Sequence, residues 1–205
     1  MGTAVLVSGT GTILEAILEA AVPVTVVAAD RPCRGLVIAA RDGVEAVLVD
    51  RAEHGGFGPA FDREGYTKSL IEALDARGVD LVCFSGFGTI LAPAFFEMFG
   101  RPVLNTHPSL LPAFKGWHAV DEALAMGVKV TGCTVHIATA EVDAGPILAQ
   151  EAVPVVPGDD AASLHERIKA VERKLFPLTI LLVRAALARG DEPSTLARPQ
   201  EQSGR

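Results

Sequence analysis

The sequence lacks the features that place a protein in a membrane or on a nucleic acid. No apolar run approaches the length of a transmembrane helix, and the first residues do not show the basic and then apolar pattern of a signal peptide. Lysine and arginine form no cluster, and the formal net charge is -7. We therefore expect a cytoplasmic protein that has neither a membrane nor a nucleic-acid partner.

Cysteine is also scarce. Cys33, Cys83 and Cys133 are odd in number, lie far apart and sit within apolar segments. This spacing favours neither a disulfide framework nor a zinc site, so we predict buried thiols and no bound metal.

Hydrophobic residues make up 49% of the 205 residues, enough to bury the core of one compact domain. We predict that domain over residues 1–190, followed by a polar, flexible tail over residues 191–205.

In the first half of the chain, short apolar runs alternate with segments of helical periodicity. The runs predict strands at 4–7, 22–29, 46–49, 79–85 and 102–106, and the periodic segments predict helices at 13–21, 35–41, 61–77 and 93–98. This alternation is typical of a parallel α/β sheet with right-handed crossovers.

The second half has a different pattern. A helix at 120–126 precedes two strands, 130–137 and 146–155, that we interpret as a hairpin. A long amphipathic helix follows over 163–188, and Pro177 is expected to kink or divide it. The predicted fold is a Rossmann-like open, mostly parallel twisted sheet with helices on both faces and a C-terminal β-hairpin plus long helix.

A glycine loop, Gly9-Thr10-Gly11-Thr12, separates the first strand from the first helix. Glycines allow close backbone approach, and free N–H groups at a helix start favour an anion such as phosphate. Leu14 occupies the place of the third glycine of a dinucleotide site, and no Lys-Ser or Lys-Thr pair follows. The loop alone therefore fits a phosphate site and a simple tight turn equally. Asp30, at the end of the second strand, would hold a ribose if the protein were a nicotinamide enzyme.

Asn105 and His107 lie two residues apart at the end of a predicted strand, so their side chains point to the same side. Pro108 and Pro112 turn the chain off the sheet, which puts both groups at the carboxyl-end crevice where open α/β sheets bind ligands. A ligand site and a buried, hydrogen-bonded histidine are both compatible with this pattern. Asp143 lies in the turn of the hairpin, where it either caps backbone N–H groups or approaches His107 and raises the pKa of that imidazole.

Together, the glycine loop and residues 105–112 and 142–146 resemble the folate-dependent formyltransferase superfamily. The resemblance runs from the first strand to about Pro177. Within the superfamily, the length favours the phosphoribosylglycinamide formyltransferases, because the deformylases have a further domain in front and the tRNA enzymes one behind. The resemblance implies transfer of a formyl group from 10-formyltetrahydrofolate to the amine of glycinamide ribonucleotide in de novo purine biosynthesis.

The resemblance also assigns roles to residues. Asn105 would hydrogen-bond the oxyanion, His107 would polarise the formyl group, and Asp143 would tune His107 and relay the proton of the amine. No covalent intermediate and no metal are required. The substrate phosphate would bind at Gly9, Thr10, Gly11, Thr12 and Ile13.

Two further residues and a set of folate contacts follow from the same resemblance. Glu172 would bind the ribose hydroxyls, and Arg63 matches an arginine near both substrates, although it also fits a solvated helix charge. The implied folate contacts are Gly88, Thr89, Ile90, Leu91, Asn105, Thr139, Ala140, Glu141, Val142 and Asp143. Residues 1–100 would form the phosphate-binding half and residues 101–190 the catalytic and folate-binding half of a monomer or homodimer.

The chain departs from the family pattern at three places. Gly88-Thr89 replaces a Met-Arg pair, Lys115-Gly116-Trp117 replaces Pro-Gly and a smaller residue, and Ile13 replaces a frequent asparagine. These changes keep a different amine substrate, or hydrolysis of the formyl folate, among the alternatives. A nicotinamide-binding oxidoreductase and a catalytically silent ligand-binding module are the alternatives from other classes.

Overall fold

The computed structural model describes residues 1–197, so the last part of the predicted tail, 198–205, lies outside the described residues. Within the described residues, seven strands form one open sheet in the order β3-β2-β1-β4-β5-β6-β7. The strands are β1 Gly2–Val7, β2 Val26–Ala29, β3 Glu45–Leu48, β4 Val79–Phe84, β5 Val103–His107, β6 Val130–Ile137 and β7 Ile147–Pro154.

The first five strands are parallel to one another, whereas β6 runs antiparallel to both β5 and β7. Asn105 pairs with His136 and His107 with Thr134 across the β5–β6 boundary. The open, mostly parallel sheet and the C-terminal hairpin confirm the predicted fold class. β2 begins four residues later than predicted at 22–29, because Val22 and the residues up to Thr25 form the connection from the preceding helix.

In the part of the chain that the structure describes, six α-helices connect or follow the strands: α1 Thr12–Glu19, α2 Arg34–Arg41, α3 Arg63–Asp75, α4 Ala94–Phe99, α5 Ala119–Ala125 and α6 Ala161–Ala188. A capping box between Asp160 and Ser163 starts α6. Pro177 was predicted to kink or divide this helix, and it does not divide it, because α6 is one element with Pro177 inside. Pro177 is buried, and this packing offsets the hydrogen bond that proline cannot donate.

Short 3-10 helices occupy Arg51–His54 and Pro193–Ala197. The second of these falls in the predicted tail, and its Leu196 packs against the core.

Within residues 1–197, no helix is long and apolar enough to cross a membrane. Cys83 and Cys133 are buried and Cys33 is half-buried, all three as free thiols.

Two hydrophobic layers cover the sheet. On one face, α1, α2 and α6 pack through residues such as Leu14, Ile38 and Phe176. On the other face, α3 and α4 contribute Tyr66 and Phe95. We call these the α6 face and the α3 face. The chain winds outward in both directions from β1 and β4, which makes the gap beyond their carboxyl ends the point where such sheets bind ligands.

Candidate active site

A cavity of about 460 Å³ opens beyond the carboxyl ends of β1, β4 and β5. Its walls come from the glycine loop, the segment after β4, the end of β5, the β6–β7 connection and one side of α6. The strand ends thus bring together segments that are far apart in the sequence, including every predicted catalytic residue.

Alternation along β5 divides its polar side chains between the two faces of the sheet. Asn105 and His107 point to the α3 face, whereas Thr106 points to the α6 face and donates a hydrogen bond to Glu172 over 2.5 Å. The cavity therefore passes around the end of β5. One of its sides is built by α1 and α6, and the other by the β6–β7 connection.

Asn105 contacts a histidine that the sequence interpretation did not single out. Its Nδ2 lies 3.2 Å from Nε2 of His136, which is 1% exposed. Nδ1 of His136 faces the Ile137 carbonyl oxygen at 3.1 Å, so both ring nitrogens of this histidine have polar neighbours. The amide nitrogen of Asn105 carries two hydrogens, of which His136 can take only one, so at least one is left for the cavity.

His107 is held through both ring nitrogens. Its Nδ1 lies 3.2 Å from Oδ2 of Asp143, and its Nε2 lies 2.7 Å from the carbonyl oxygen of Phe114. Both partners are acceptors, so the imidazole satisfies them when each nitrogen carries a hydrogen. With only 5% of its surface exposed, the ring is fixed in orientation next to a carboxylate.

Asp143 belongs to the β6–β7 connection and has a φ of 52°, a left-handed conformation that aspartate tolerates better than most residues. The Gly116 N–H donates to its Oδ2 over 2.8 Å, and Oδ1 lies 3.6 Å from Nε2 of His136. Burial alone would raise the pKa of Asp143. His136, the Gly116 N–H and His107 outweigh that effect and hold this pKa below its ordinary value of 3.8.

The predicted phosphate loop lines the α6 side of the cavity. Gly11 is the N-cap of α1 with a φ of 72°. A Cβ at this position would lie 2.7 Å from Cδ1 of Ile38 and 3.0 Å from Cα of Gly35, so only glycine fits. The close packing of α1 on α2 leaves the first N–H groups of α1 directed at the cavity.

Two residues of α6 were missed by the sequence interpretation. His165 and Lys169 line the cavity together with Glu172. Their spacing of four and then three residues places all three on one side of a helix, and this spacing is the signal that could have found them. Burial raises the pKa of Glu172 above 4.5, although the hydrogen bond from Thr106 and nearby Lys169 and Arg173 act in the opposite direction.

Most of the predicted contact residues line the cavity. Those that do are Gly9, Thr10, Gly11, Thr12, Ile13, Thr89, Ile90, Leu91, Asn105, His107, Thr139, Ala140, Val142, Asp143 and Glu172. Gly88 and Glu141 are not among the lining residues, and neither is Arg63, which is exposed at the start of α3. The structure does not bring these three residues to the cavity wall.

Asp30 lies in a different environment from that of a ribose-binding acid. The carboxylate is fully buried, and both of its oxygens are engaged: Arg31 donates to Oδ1 and Oδ2 over 2.9 and 3.0 Å, and Thr89 donates to Oδ2 over 2.6 Å. Burial alone would raise the pKa of Asp30, but these hydrogen bonds lower it. Its structural pairing accounts for this acid without a nicotinamide ligand.

The sequence and the fold of this protein are similar to those of known proteins. Residues 1–180 match the formyl transferase family. The chain belongs to the formyl transferase family. It is 49% identical over 189 residues to phosphoribosylglycinamide formyltransferase of Mycobacterium tuberculosis, covering 90% of this chain and 83% of that protein.

Other members of the formyl transferase family extend this relationship. The trifunctional purine biosynthetic protein adenosine-3 of Gallus gallus is 41% identical over 88% of this chain, which spans 18% of that larger protein. A solved glycinamide ribonucleotide transformylase from Symbiobacterium toebii superposes with a TM-score of 0.80 and 43% identity, covering 88% of this chain and 85% of that one. The predicted resemblance is thereby confirmed.

Formyl transfer needs no metal if donors on the protein stabilise the oxyanion. Across residues 1–197, no group of three or more His, Cys, Asp and Glu side chains is arranged to hold a metal ion.

Proposed function

We propose that this protein transfers the formyl group of 10-formyltetrahydrofolate to the amine of glycinamide ribonucleotide. The products are formylglycinamide ribonucleotide and tetrahydrofolate, in de novo purine biosynthesis in the cytoplasm, and the enzyme acts as a monomer or homodimer. The carrying observation is the convergence of Asn105, His107 and Asp143 on one cavity that also contains the glycine loop and Glu172. The names of its relatives support the same activity.

The nucleotide substrate fits the α6 side of the cavity. Backbone N–H groups at the start of α1 suit a phosphate, and Lys169 adds a positive charge to the same side. Glu172 can accept hydrogen bonds from ribose hydroxyls while it keeps its bond from Thr106. The amine then points past the end of β5, toward Asn105 and His107.

The folate fits the α3 side. Leu91 and Val142 supply apolar surface for a planar ring, and the main chain of 139–143 supplies polar groups that can read the ring edge. Gly88 and Glu141, which are next to the lining residues Thr89 and Val142 in the sequence, are also proposed as folate contacts, although they do not line the cavity in this structure. This arrangement puts the formyl carbon beside Asn105 and His107, between the two substrates.

The reaction is then an attack of the amine nitrogen on the formyl carbon. As the C–N bond forms, negative charge develops on the formyl oxygen, and the free Nδ2 hydrogen of Asn105 and the Nε2–H of His107 stabilise it. The formyl oxygen would replace the Phe114 carbonyl as the acceptor of His107. Asp143 accepts the proton lost by the amine. The oxyanion then re-forms the carbonyl as the bond from carbon to N10 of the folate breaks, and N10 takes up the proton that Asp143 holds.

Absorbance tests this function directly. The purified protein is mixed with 10-formyltetrahydrofolate, or its dideaza analogue, with and without glycinamide ribonucleotide. Turnover that depends on the amine substrate supports the proposal. Release of formate without the amine would instead identify a formyl folate hydrolase, and turnover only with other amines would identify a related formyltransferase. Tight binding of NADH, measured by fluorescence, would favour the oxidoreductase alternative.

A further inference from the structure

Two arginines meet beside the segment that replaces the family's Met-Arg pair. The guanidinium of Arg31 lies 4.0 Å from the ring centre of Phe57, and that of Arg51 lies 4.4 Å from the same ring. Arg51 also covers Phe61 at 3.7 Å. We call Arg31 and Arg51 the arginine pair. The ring stacking holds both planar groups in fixed orientations.

The arginine pair has more positive charge than its surroundings neutralise. Asp30 forms an ion pair with Arg31 at 2.9 Å. Arg51 donates to the Gly56 carbonyl over 2.7 Å and to the Thr89 hydroxyl over 3.2 Å, both uncharged. None of the ion pairs formed within residues 1–197 includes Arg51. Two guanidinium groups therefore share one carboxylate.

Hydrogen-bond donors also remain on both side chains. An arginine has five N–H donors. Arg31 uses Nε and Nη2 on Asp30, and Arg51 uses Nε and Nη1 on Gly56 and Thr89. Nη1 of Arg31 and Nη2 of Arg51 have no acceptor within the described part of the chain. The side chain of Arg31 is 37% exposed, so an incoming anion can reach it.

The pair is connected to the cavity through Thr89, which lines the wall and bonds both Asp30 and Arg51. Residue 88 is a glycine, so it places no side chain between the arginine pair and the cavity. Nη2 of Arg31 is the atom nearest to the place where a Cβ of residue 88 would lie, at 3.6 Å. Phe61, beneath Arg51, packs into the core of the α3 face. Neither arginine lines the cavity itself, but the pair lies directly behind Thr89, on the side of the cavity that the proposed function gives to the folate.

We propose that Arg31 and Arg51 bind the glutamate carboxylates of the reduced folate. The assignment rests on the proposed function, which gives this side of the cavity to the folate. A folate bound with its ring near Leu91 and Val142 has its charged end directed out of the cavity. Carboxylates match the planar fork of arginine, and the unshared positive charge selects an anion. The pair lies beside Gly88-Thr89, the segment that replaces the Met-Arg pair of the family pattern.

Calorimetric titration tests the assignment with two ligands, 10-formyl-5,8-dideazafolate and the same compound without its glutamate. We expect the wild-type protein to bind the glutamate-bearing ligand on the order of tenfold more tightly, since charge-assisted hydrogen bonds distinguish the two. Added salt should weaken the binding of that ligand and leave the other nearly unchanged.

Arg51→Gln is the variant of choice, because removal of Arg31 would leave the buried carboxylate of Asp30 without its ion-pair partner. It should lower the affinity for the glutamate-bearing ligand to about that of the truncated one, a change of roughly tenfold. Arg51→Lys, which keeps the charge and the aliphatic stem, should retain part of the difference. Arg41→Gln removes an exposed arginine that pairs with Asp42 and Glu15, and it should change neither affinity.

Each outcome decides between possibilities. Equal binding of the two ligands by the wild type, or equal weakening of both by Arg51→Gln, would overturn the assignment while leaving the proposed function intact. A wild-type protein that binds neither ligand would overturn the proposed function instead. Should Arg51→Gln fail to fold, the salt dependence of the wild type and the Arg51→Lys result decide the matter.

Discussion

Oδ2 of Asp143 accepts a 2.8 Å hydrogen bond from the Gly116 N–H and lies 3.2 Å from Nδ1 of His107. One carboxylate oxygen thus joins the loop after β5 to the imidazole at the end of that strand. The position of the loop and the orientation of His107 depend on the same atom, so changes to this carboxylate should affect both.

Replacing Asp143 by Asn tests the charge while sparing the backbone, since asparagine also tolerates a φ near 52°. We expect kcat to fall by roughly a hundredfold, the lower end of typical acid-base contributions. Because the pKa of Asp143 is lowered from 3.8, its contribution to stability is present above that pH and is lost as pH falls below it. Urea unfolding should show the wild type losing more stability than the variant in that acidic window. Parallel losses would contradict the pKa assignment.

His107→Ala should leave the fold intact and lower kcat/KM on the order of a hundredfold or more, as expected for loss of an oxyanion donor. The measurement is the absorbance change of the formyl donor, with circular dichroism as the check on folding. His118→Ala is the matched control, because its side chain is 79% exposed. An unchanged rate in the first variant removes His107 from the mechanism.

Glu172→Gln should separate binding from stability. The pKa of Glu172 is raised above 4.5 by burial, so the folded state holds a proton that the unfolded state has released, and stability falls as pH rises through this window. Glutamine does not titrate, and the variant should be at least as stable as the wild type near pH 8 by thermal unfolding. KM for the nucleotide should rise about tenfold. Glu166→Gln, on the exposed side of α6, should do neither.

Gly11→Ala should lower stability by more than Gly43→Ala, although both glycines have φ values close to 70°. The second position has nothing within 4 Å of an added Cβ, whereas the first meets Ile38 at 2.7 Å. Backbone strain alone costs about 1–2 kcal/mol, so the difference between the two variants in urea unfolding measures the crowding. Only Gly11→Ala should also raise KM for the phosphorylated substrate. Equal effects would show that the close packing of α1 is unimportant.

Trp117 is the only tryptophan of the sequence, and it lines the cavity while 69% exposed. Its fluorescence should therefore change when a ligand fills the cavity, because the indole moves from water into a less polar contact. Titration with folate or nucleotide monitors this directly. A fluorescence signal that stays constant at saturating ligand would mean that the residue does not contact either substrate.

The sequence predicts the main parts of the fold and the site because those parts depend on local signals. The alternation of strands and helices follows from hydrophobic periodicity. That Asn105 and His107 point to the same side follows from the alternation of side chains along a strand. The approach of Asp143 to His107 was an open alternative, and the structure resolves it at 3.2 Å.

The residues that sequence reasoning missed depend on relationships between distant segments. His136 lies within an apolar strand and looks like a core residue until the β5–β6 register places it opposite Asn105. His165 and Lys169 share one side of α6 with Glu172, a spacing that the sequence interpretation did not use. Asp30 looked like a ribose acid because its partners, Arg31 and Thr89, come together only through the fold.

The passage of the cavity around the end of β5 has a consequence for inhibition. The same cavity is lined by Glu172 on the α6 side and by Val142 on the α3 side, so under the proposed function the nucleotide and the folate would meet near Asn105 and His107. A single molecule that carries a ribose phosphate at one end and a folate ring at the other would occupy both at once. The first end to bind would present the second at a high effective concentration, and the affinity of the joined molecule would greatly exceed that of either part.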